Sequence, residues 1–180
     1  MNMPAESALV ILVPEAESLV GDFRKQYDPS AAVGIPAHVT VLYPFKAPRD
    51  LSPDVLLSLK KLFAGFQEFQ AAFTDLQRFP NVLYLSPEPA DPFRILIKTV
   101  AERFPETLPY GGQFTEITPH LTVAHLEESD RLEAVASAFA RAAEGRLPIP
   151  IRVQAVVLME NSGGLWRVHR RFTLNTDPRS

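Results

Sequence analysis

The stretch Pro36-Ala37-His38-Val39-Thr40-Val41-Leu42 constrains this chain most, because its plan returns as Pro119-His120-Leu121-Thr122-Val123-Ala124. Each copy offers a proline, a histidine, an apolar residue, a threonine and another apolar residue. Alternation of that kind is the period of a β-strand: His and Thr of one copy share a face, and the Val and Leu between them face the other way. A chain with two such strands needs a sheet with a core packed on one side. The opposite side then carries one imidazole and one hydroxyl per copy. Taken alone, either copy reads as a half-buried strand that happens to hold a histidine. The recurrence of the same residue types in the same order sets the pair apart.

Other patterns fall into place around these copies. Ala8 to Val13 is an apolar run that reads as a buried strand. A helix is expected from Pro14 to about Tyr27, with Glu15 and Glu17 at its N-terminal end and Ala16, Leu19, Val20 and Phe23 on one face. Ser52-Pro53 opens a second helix as N-cap and first residue, with Leu56, Leu59, Phe63 and Phe66 inward. Strands over Gln67–Phe79 and Val82–Ser86 follow, joined at Pro80-Asn81. Asp91 reads as the cap of a third helix, with Phe93, Leu96, Ile97 and Val100 buried, and a fourth spans Ser129 to Ala143. Two last strands, Ile149 to Met159 and Trp166 to Leu174, flank a turn at Asn161-Ser162-Gly163-Gly164. The element order β-α-β-α-β-β-α-β-α-β-β repeats itself weakly about the two copies. The expected architecture is α+β: a single bilobal domain over residues 1–180, with two pseudo-two-fold-related lobes of antiparallel-rich sheet. Helices lie outside and a central cleft lies between the lobes.

Composition narrows the function. A net charge of −3 and a pI near 5.8 argue against a polycationic grip on long nucleic acid, and leave a small phosphorylated molecule or one RNA end as partner. Without cysteine there is neither a disulfide nor a thiolate metal site. The N-terminal apolar run is too short for a membrane span or a signal core, so a cytoplasmic, membrane-independent protein is expected, monomeric by default.

Two facing histidines suit proton transfer near neutral pH, because imidazole has an unperturbed pKa of about 6.5. One ring takes a proton from a nucleophile while the other gives one to a leaving oxygen. Phosphodiester cleavage needs both services, on opposite sides of phosphorus, together with donors for the non-bridging oxygens. Thr40 and Thr122 stand two residues from His38 and His120 to supply those donors.

The paired motifs His38-Val39-Thr40-Val41 and His120-Leu121-Thr122-Val123 resemble those of the two-histidine phosphoesterase superfamily, which includes the 2'-5' RNA ligase proteins and the RNA 2',3'-cyclic phosphodiesterases. The segment Gly34 to Phe45, and Trp166 followed by Phe172-Thr173-Leu174, resemble the 2'-5' RNA ligase branch. The resemblance implies a bilobal fold and metal-independent opening of a 2',3'-cyclic phosphate, on an RNA end or a small cyclic nucleotide, to a 2'-phosphate, with 2'-5' joining as the reverse reaction. No cofactor and no metal are implied. His38 and His120 become the acid–base pair, and Thr40 and Thr122 the phosphate-binding residues. The family pattern suggests His38 as donor to the leaving oxygen and His120 as the base; the residues themselves leave that order open. The rival reading is a nucleotide-binding module that uses the same cleft without turnover.

Several other residues compete for a role. His125, five positions past His120, falls on the opposite face or beyond the strand, and His169 fits a solvated strand face. A zinc site is disfavoured because the motifs bring no Asp, Glu or Cys at ligand spacing. Tyr43 and Phe45 suit either a base stack or a core-packed turn. Arg24, Arg78, Lys98, Arg152 and Arg167 are able to bind phosphate, with surface placement the expectation. The loop over residues 105–118, with Gly111-Gly112, is a candidate lid.

Overall fold

The computed structural model describes residues 4–112 and 117–176. Eight strands form one sheet: β1 (Ser7–Leu12), β2 (His38–Leu42), β3 (Phe69–Phe79), β4 (Val82–Glu88), β5 (Leu121–His125), β6 (Ile149–Val153), β7 (Ala155–Glu160) and β8 (Arg167–Thr173). Their spatial order is β6-β3-β4-β5-β2-β1-β7-β8, and every neighbouring pair is antiparallel. Both motif strands lie at the centre, and a single register pair, Val39 opposite Leu121, joins them. Each half of the sheet fans out from that seam.

Among the described residues five α-helices accompany the sheet: α1 (Glu17–Tyr27), the short α2 (Pro29–Ala32), α3 (Pro53–Ala64), α4 (Asp91–Arg103) and α5 (Ser129–Ala143). α1, which precedes β2, packs on β5, whereas α4, which precedes β5, packs on β2. The segments β1-α1-β2-α3-β3 and β4-α4-β5-α5-β6-β7 thus follow one plan about the seam, with β7 in the place of β3 and β6 added before it. Val39, Val41, Leu121 and Val123 are all buried on the helix-covered face with Phe63, Phe73, Phe93 and Phe139. The strand period expected from the motifs accounts for this directly: alternate residues face a core that excludes water.

Most of the expected elements are present, with three differences. The two lobes are halves of one continuous sheet, and they interleave in sequence. β1 and β2 share their half with β7 and β8, and β3, β4 and β6 lie with β5. The run expected as one strand, Ile149 to Met159, breaks at Gln154 into β6 and β7, which lie in opposite halves of the order. β6 alternates buried and exposed residues as a strand with one solvated face does, and it carries Pro150, which lacks the N–H an interior strand would need. All six residues of β7 are buried, as fits a strand covered on both faces. Finally, Ala90 rather than Asp91 occupies the N-cap of α4, and the Asp91 carboxylate pairs with Arg94. The Ser52 cap is present, its hydroxyl accepting from the Val55 N–H at 3.3 Å.

Candidate active site

Antiparallel register determines what the seam presents. With Val39 opposite Leu121, the next residues outward set His38 across from Thr122 and Thr40 across from His120. Directly opposed side chains on one face of such a pair stand about 5 Å apart at Cβ. The two imidazoles and two hydroxyls therefore form a square, each histidine flanked by its own threonine along the strand and the other copy's threonine across it. All four side chains are partly buried.

Both imidazoles are oriented by the same contact. His38 Nδ1 lies 2.8 Å from the Pro36 carbonyl oxygen, and His120 Nδ1 lies 2.7 Å from that of Thr118. A carbonyl only accepts, so each Nδ1 carries the hydrogen and donates. Nε2 is then the remaining nitrogen of each ring, an acceptor when neutral and a donor when charged. The carbonyl two residues upstream is the same device in both copies. On the first copy the approach to the strand is pinned further: the Ala37 N–H donates to Glu17 Oε1 at 2.6 Å, and the Val13 N–H donates to the Ala37 carbonyl at 2.8 Å.

Burial depresses both imidazoles below their ordinary range. It is the largest influence on His38, which falls to about 4, opposed by the Pro36 carbonyl; Arg24 and His120 lower it as well, and Asp28 raises it. His120 is lowered by burial and partly restored by the Thr118 carbonyl. The influence of His120 on His38 shows that one ring senses the charge of the other. At neutral pH both rings of the free protein are neutral, a departure from the one-neutral, one-charged pair that unperturbed values suggest.

The halves differ in what surrounds this square. Phe79 and Tyr84 stack at 4.3 Å between centroids and lie against His120 at 5.3 and 5.5 Å. Tyr84 pairs with Thr122 in register, which places it on the site face between the core residues Leu83 and Leu85. Neither aromatic stands out from sequence; the signal is a tyrosine between two core leucines, and it becomes readable once β4 is known to lie beside β5. On the first half, Tyr110 reaches in from the loop after α4. Burial pushes its phenol up from the ordinary range and the Thr40 side chain lowers it, and its N–H donates to the Tyr43 carbonyl at 2.6 Å. The candidate lid over 105–118 thus contributes a side chain to the site, although residues 113–116 lie outside the described residues.

The remaining candidates sort differently. His125 ends β5 and faces outward, its Nε2 3.0 Å from the Asn81 amide nitrogen. His169 is exposed on β8. Phe45 is buried edge-on against Phe104, and Tyr43 packs against Trp166 while its hydroxyl donates to Glu6 Oε2 at 2.8 Å. Of the phosphate-capable cations, Arg78 pairs with Glu133, Lys98 with Glu102, Arg152 with Glu68 and Arg167 with Glu160. Arg24, expected at the surface, is instead buried with Asp28 and Ser30, which accept from its guanidinium. Among the described residues, no three His, Cys, Asp or Glu side chains gather closely enough to hold a metal ion, and no helix is long and apolar enough to cross a membrane.

Residues 12–165 match the family model of the 2'-5' RNA ligase superfamily. The chain belongs to that superfamily. This member is 25% identical over 170 residues to a Bacillus licheniformis protein named as a candidate phosphoesterase, covering 92% of this chain and 96% of the relative. A Geobacillus kaustophilus protein with a similar name is 29% identical over 124 residues, 64% of this chain and 66% of the relative. Among solved structures, Escherichia coli LigT in complex with 3'-AMP superposes with a TM-score of 0.62, covering 97% of this chain and all of LigT, at 15% identity. A Thermus thermophilus protein does so at 0.60, covering 96% and 99%, also at 15% identity. At that identity the structural likeness speaks for the fold, which is the LigT-like α+β sheet with its helices.

Proposed function

We propose that this phosphoesterase-family protein opens a 2',3'-cyclic phosphate, on an RNA end or a small cyclic nucleotide, to a 2'-phosphate without a metal ion. The observation that carries the reading is the paired anchoring of His38 and His120 through Nδ1, which leaves two Nε2 atoms for one square shared with Thr40 and Thr122. One neutral imidazole removes a proton from water as its oxygen attacks phosphorus. The P–O3' bond breaks, and the other imidazole, charged at that moment, gives its proton to O3'. The threonine hydroxyls donate to the non-bridging oxygens. The same steps with a 5'-hydroxyl in place of water form a 2'-5' link. Family pattern makes His38 the donor and His120 the base.

Burial of both rings has a consequence for this scheme. An anionic phosphodiester favours the charged form of a nearby imidazole, so substrate binding raises the affinity of the site for the proton it must deliver. LigT, which shares the fold, has been solved with phosphate and with 3'-AMP, a nucleotide whose phosphate is at the 3' rather than the 2' position.

The test is turnover of 2',3'-cyclic AMP and of a short RNA with a 2',3'-cyclic end, in excess chelator. Activity in chelator is expected to fall by at least about 10²-fold in His38→Ala and in His120→Ala. A cyclic phosphate with sulfur at the 3' leaving position should rescue the variant that lacks the acid and leave the other inactive. Activity persisting in both variants would remove the site assignment. Tight binding of the 2'-phosphate product with no turnover would leave a nucleotide-binding module.

A further inference from the structure

Arg24 is a buried cation that the phosphoester chemistry leaves without a task. It stands on α1, only 2% exposed, and pairs with the buried Asp28 at 3.0 Å. Taking two charges out of water is costly, and an apolar pair of similar size is often as stable or more so. A buried ion pair therefore points to the fixing of one geometry rather than to stability. The geometry in question is that of the segment leading into β2.

The guanidinium donates twice, from Nε to Asp28 Oδ2 and from Nη2 to the Ser30 hydroxyl, both at 3.0 Å. Asp28 Oδ1 accepts from the Ser30 N–H at 3.0 Å and from the Ser30 hydroxyl at 2.8 Å. Asp28 thereby caps α2, and Arg24 clamps that cap to α1. From the same turn the Ser30 carbonyl accepts the Ile35 N–H at 3.0 Å. Ile35 precedes Pro36, whose carbonyl accepts from His38 Nδ1 at 2.8 Å. A continuous series of bonds thus runs from α1 through α2 to the imidazole. The anchor of His120 is the Thr118 carbonyl, at the far end of the loop after α4, and it takes no part in this series. Both charges of the pair are felt at His38: beside the larger effect of burial, Arg24 lowers its proton affinity and Asp28 raises it.

We propose that Arg24 is a positioning residue for His38: through Asp28 and Ser30 it docks α2 on α1, and so holds the Pro36 carbonyl where it selects the Nδ1–H tautomer and aims Nε2 into the square. The inference rests on the phosphoesterase reading for its effect on rate, but not for its effect on the ring. It makes the two histidines unequal, with His38 alone braced from α1.

Arg24→Lys keeps the buried charge and loses the fork, since an ammonium is a single point facing two separated acceptors. The bond it loosens at the imidazole is one neutral hydrogen bond, so kcat is expected to fall about two- to tenfold with KM little changed. NMR shifts of the imidazole nitrogens report the ring directly. In the wild type at neutral pH both histidines should show the Nδ1–H form. In Arg24→Lys the His38 signals should move toward a mixture of tautomers while those of His120 stay in place. His120 is the internal control, because a general loosening of the fold would move both rings. Ser30→Ala deletes one link, keeps every charge and covers the case in which Arg24→Lys folds poorly; it should displace His38 in the same direction by less. Unmoved His38 signals in both variants would overturn the proposal, as would equal displacement of the two histidines. Selective displacement of His38 in a protein whose wild type turns over no cyclic phosphate would remove the phosphoesterase reading and uphold the positioning role.

Discussion

Each imidazole of the site has had its tautomer chosen by a backbone atom rather than by a carboxylate. A carboxylate partner would stabilise the charged ring; the neutral carbonyls of Pro36 and Thr118 do so far less, and burial wins. The sign of the pH dependence follows. In free enzyme the proton-bound state of the pair exists only on the acid side of the ordinary imidazole value of about 6.5. Since kcat/KM reports the free enzyme, its bell should peak below that value, with its acid limb extending toward the low value of His38. The kcat profile, which reports the complex, should lie at higher pH because the phosphate anion favours imidazolium. Stability carries the same signature. As pH falls below about 6.5 the unfolded chain takes up these protons first, so folding weakens until the folded-state value of about 4 is passed for His38. Rates and thermal melts across that range check both; a kcat/KM maximum above pH 7 would contradict the buried, neutral pair. The four polar residues of the site were legible in the sequence because strand parity is local. Tyr84 and Phe79 were not, because their approach to His120 depends on which strand lies beside β5. Tyr110 was not, because a loop residue has no period to place it.

Elements that bring the histidines into position are held by a few contacts outside the sheet. The loop between α2 and β2 is one. The Trp166 N–H donates to the Val33 carbonyl at 2.8 Å, and Gly34 has φ +100°. A Cβ on Gly34 would meet the Trp166 carbonyl oxygen at 3.1 Å. Gly34→Ala therefore combines backbone strain with a tight contact against main chain, at a cost of about 1–2 kcal/mol. The melting temperature should fall by several degrees, roughly 2–4 °C per kcal/mol for a chain of this size. Activity should fall further than stability alone explains, because Pro36, two residues on, supplies the carbonyl that orients His38. A variant that melts like wild type would show that the loop yields without strain. Local sequence anticipated most elements, and the one run it failed to divide shows why. Ile149-Pro150-Ile151-Arg152-Val153 alternates, whereas Ala155 to Met159 is apolar throughout. That change of period at Gln154 marks two strands with different surroundings, one with a solvated face and one covered on both faces. Contiguity had suggested one.

At the scale of the whole molecule, the two halves of the sheet are not two halves of the chain. β3 crosses from the first motif strand to lie beside β4, and β7 returns from the second motif strand to lie beside β1, with β8 on its outer side. A weak repeat in element order indicates two-fold character but not this exchange, because pairing partners far apart in sequence leave no local pattern. The exchange binds the halves together more firmly than the seam does, where β2 and β5 share one register pair. We expect the chain to unfold as one unit in consequence. Trp166, the single tryptophan, packs on Tyr43 in the first half. A fluorine-labelled phenylalanine at Phe79 would report the second half through its stack with Tyr84. Denaturant midpoints from tryptophan fluorescence, the Phe79 label and backbone circular dichroism should coincide, as two-state unfolding requires. Neither residues 1–80 nor residues 81–180 should fold alone, since the first piece lacks the β4 partner of β3 and the second lacks the β1 partner of β7. Mixing the pieces should restore helix and strand content and, if the square of His38, Thr40, His120 and Thr122 reforms at the seam, restore turnover as well. Two separated midpoints would mean that each half of the sheet is stable by itself and that the seam is a hinge between them, whereas an independently folded piece would mean that the strand exchange is not what makes the chain one unit.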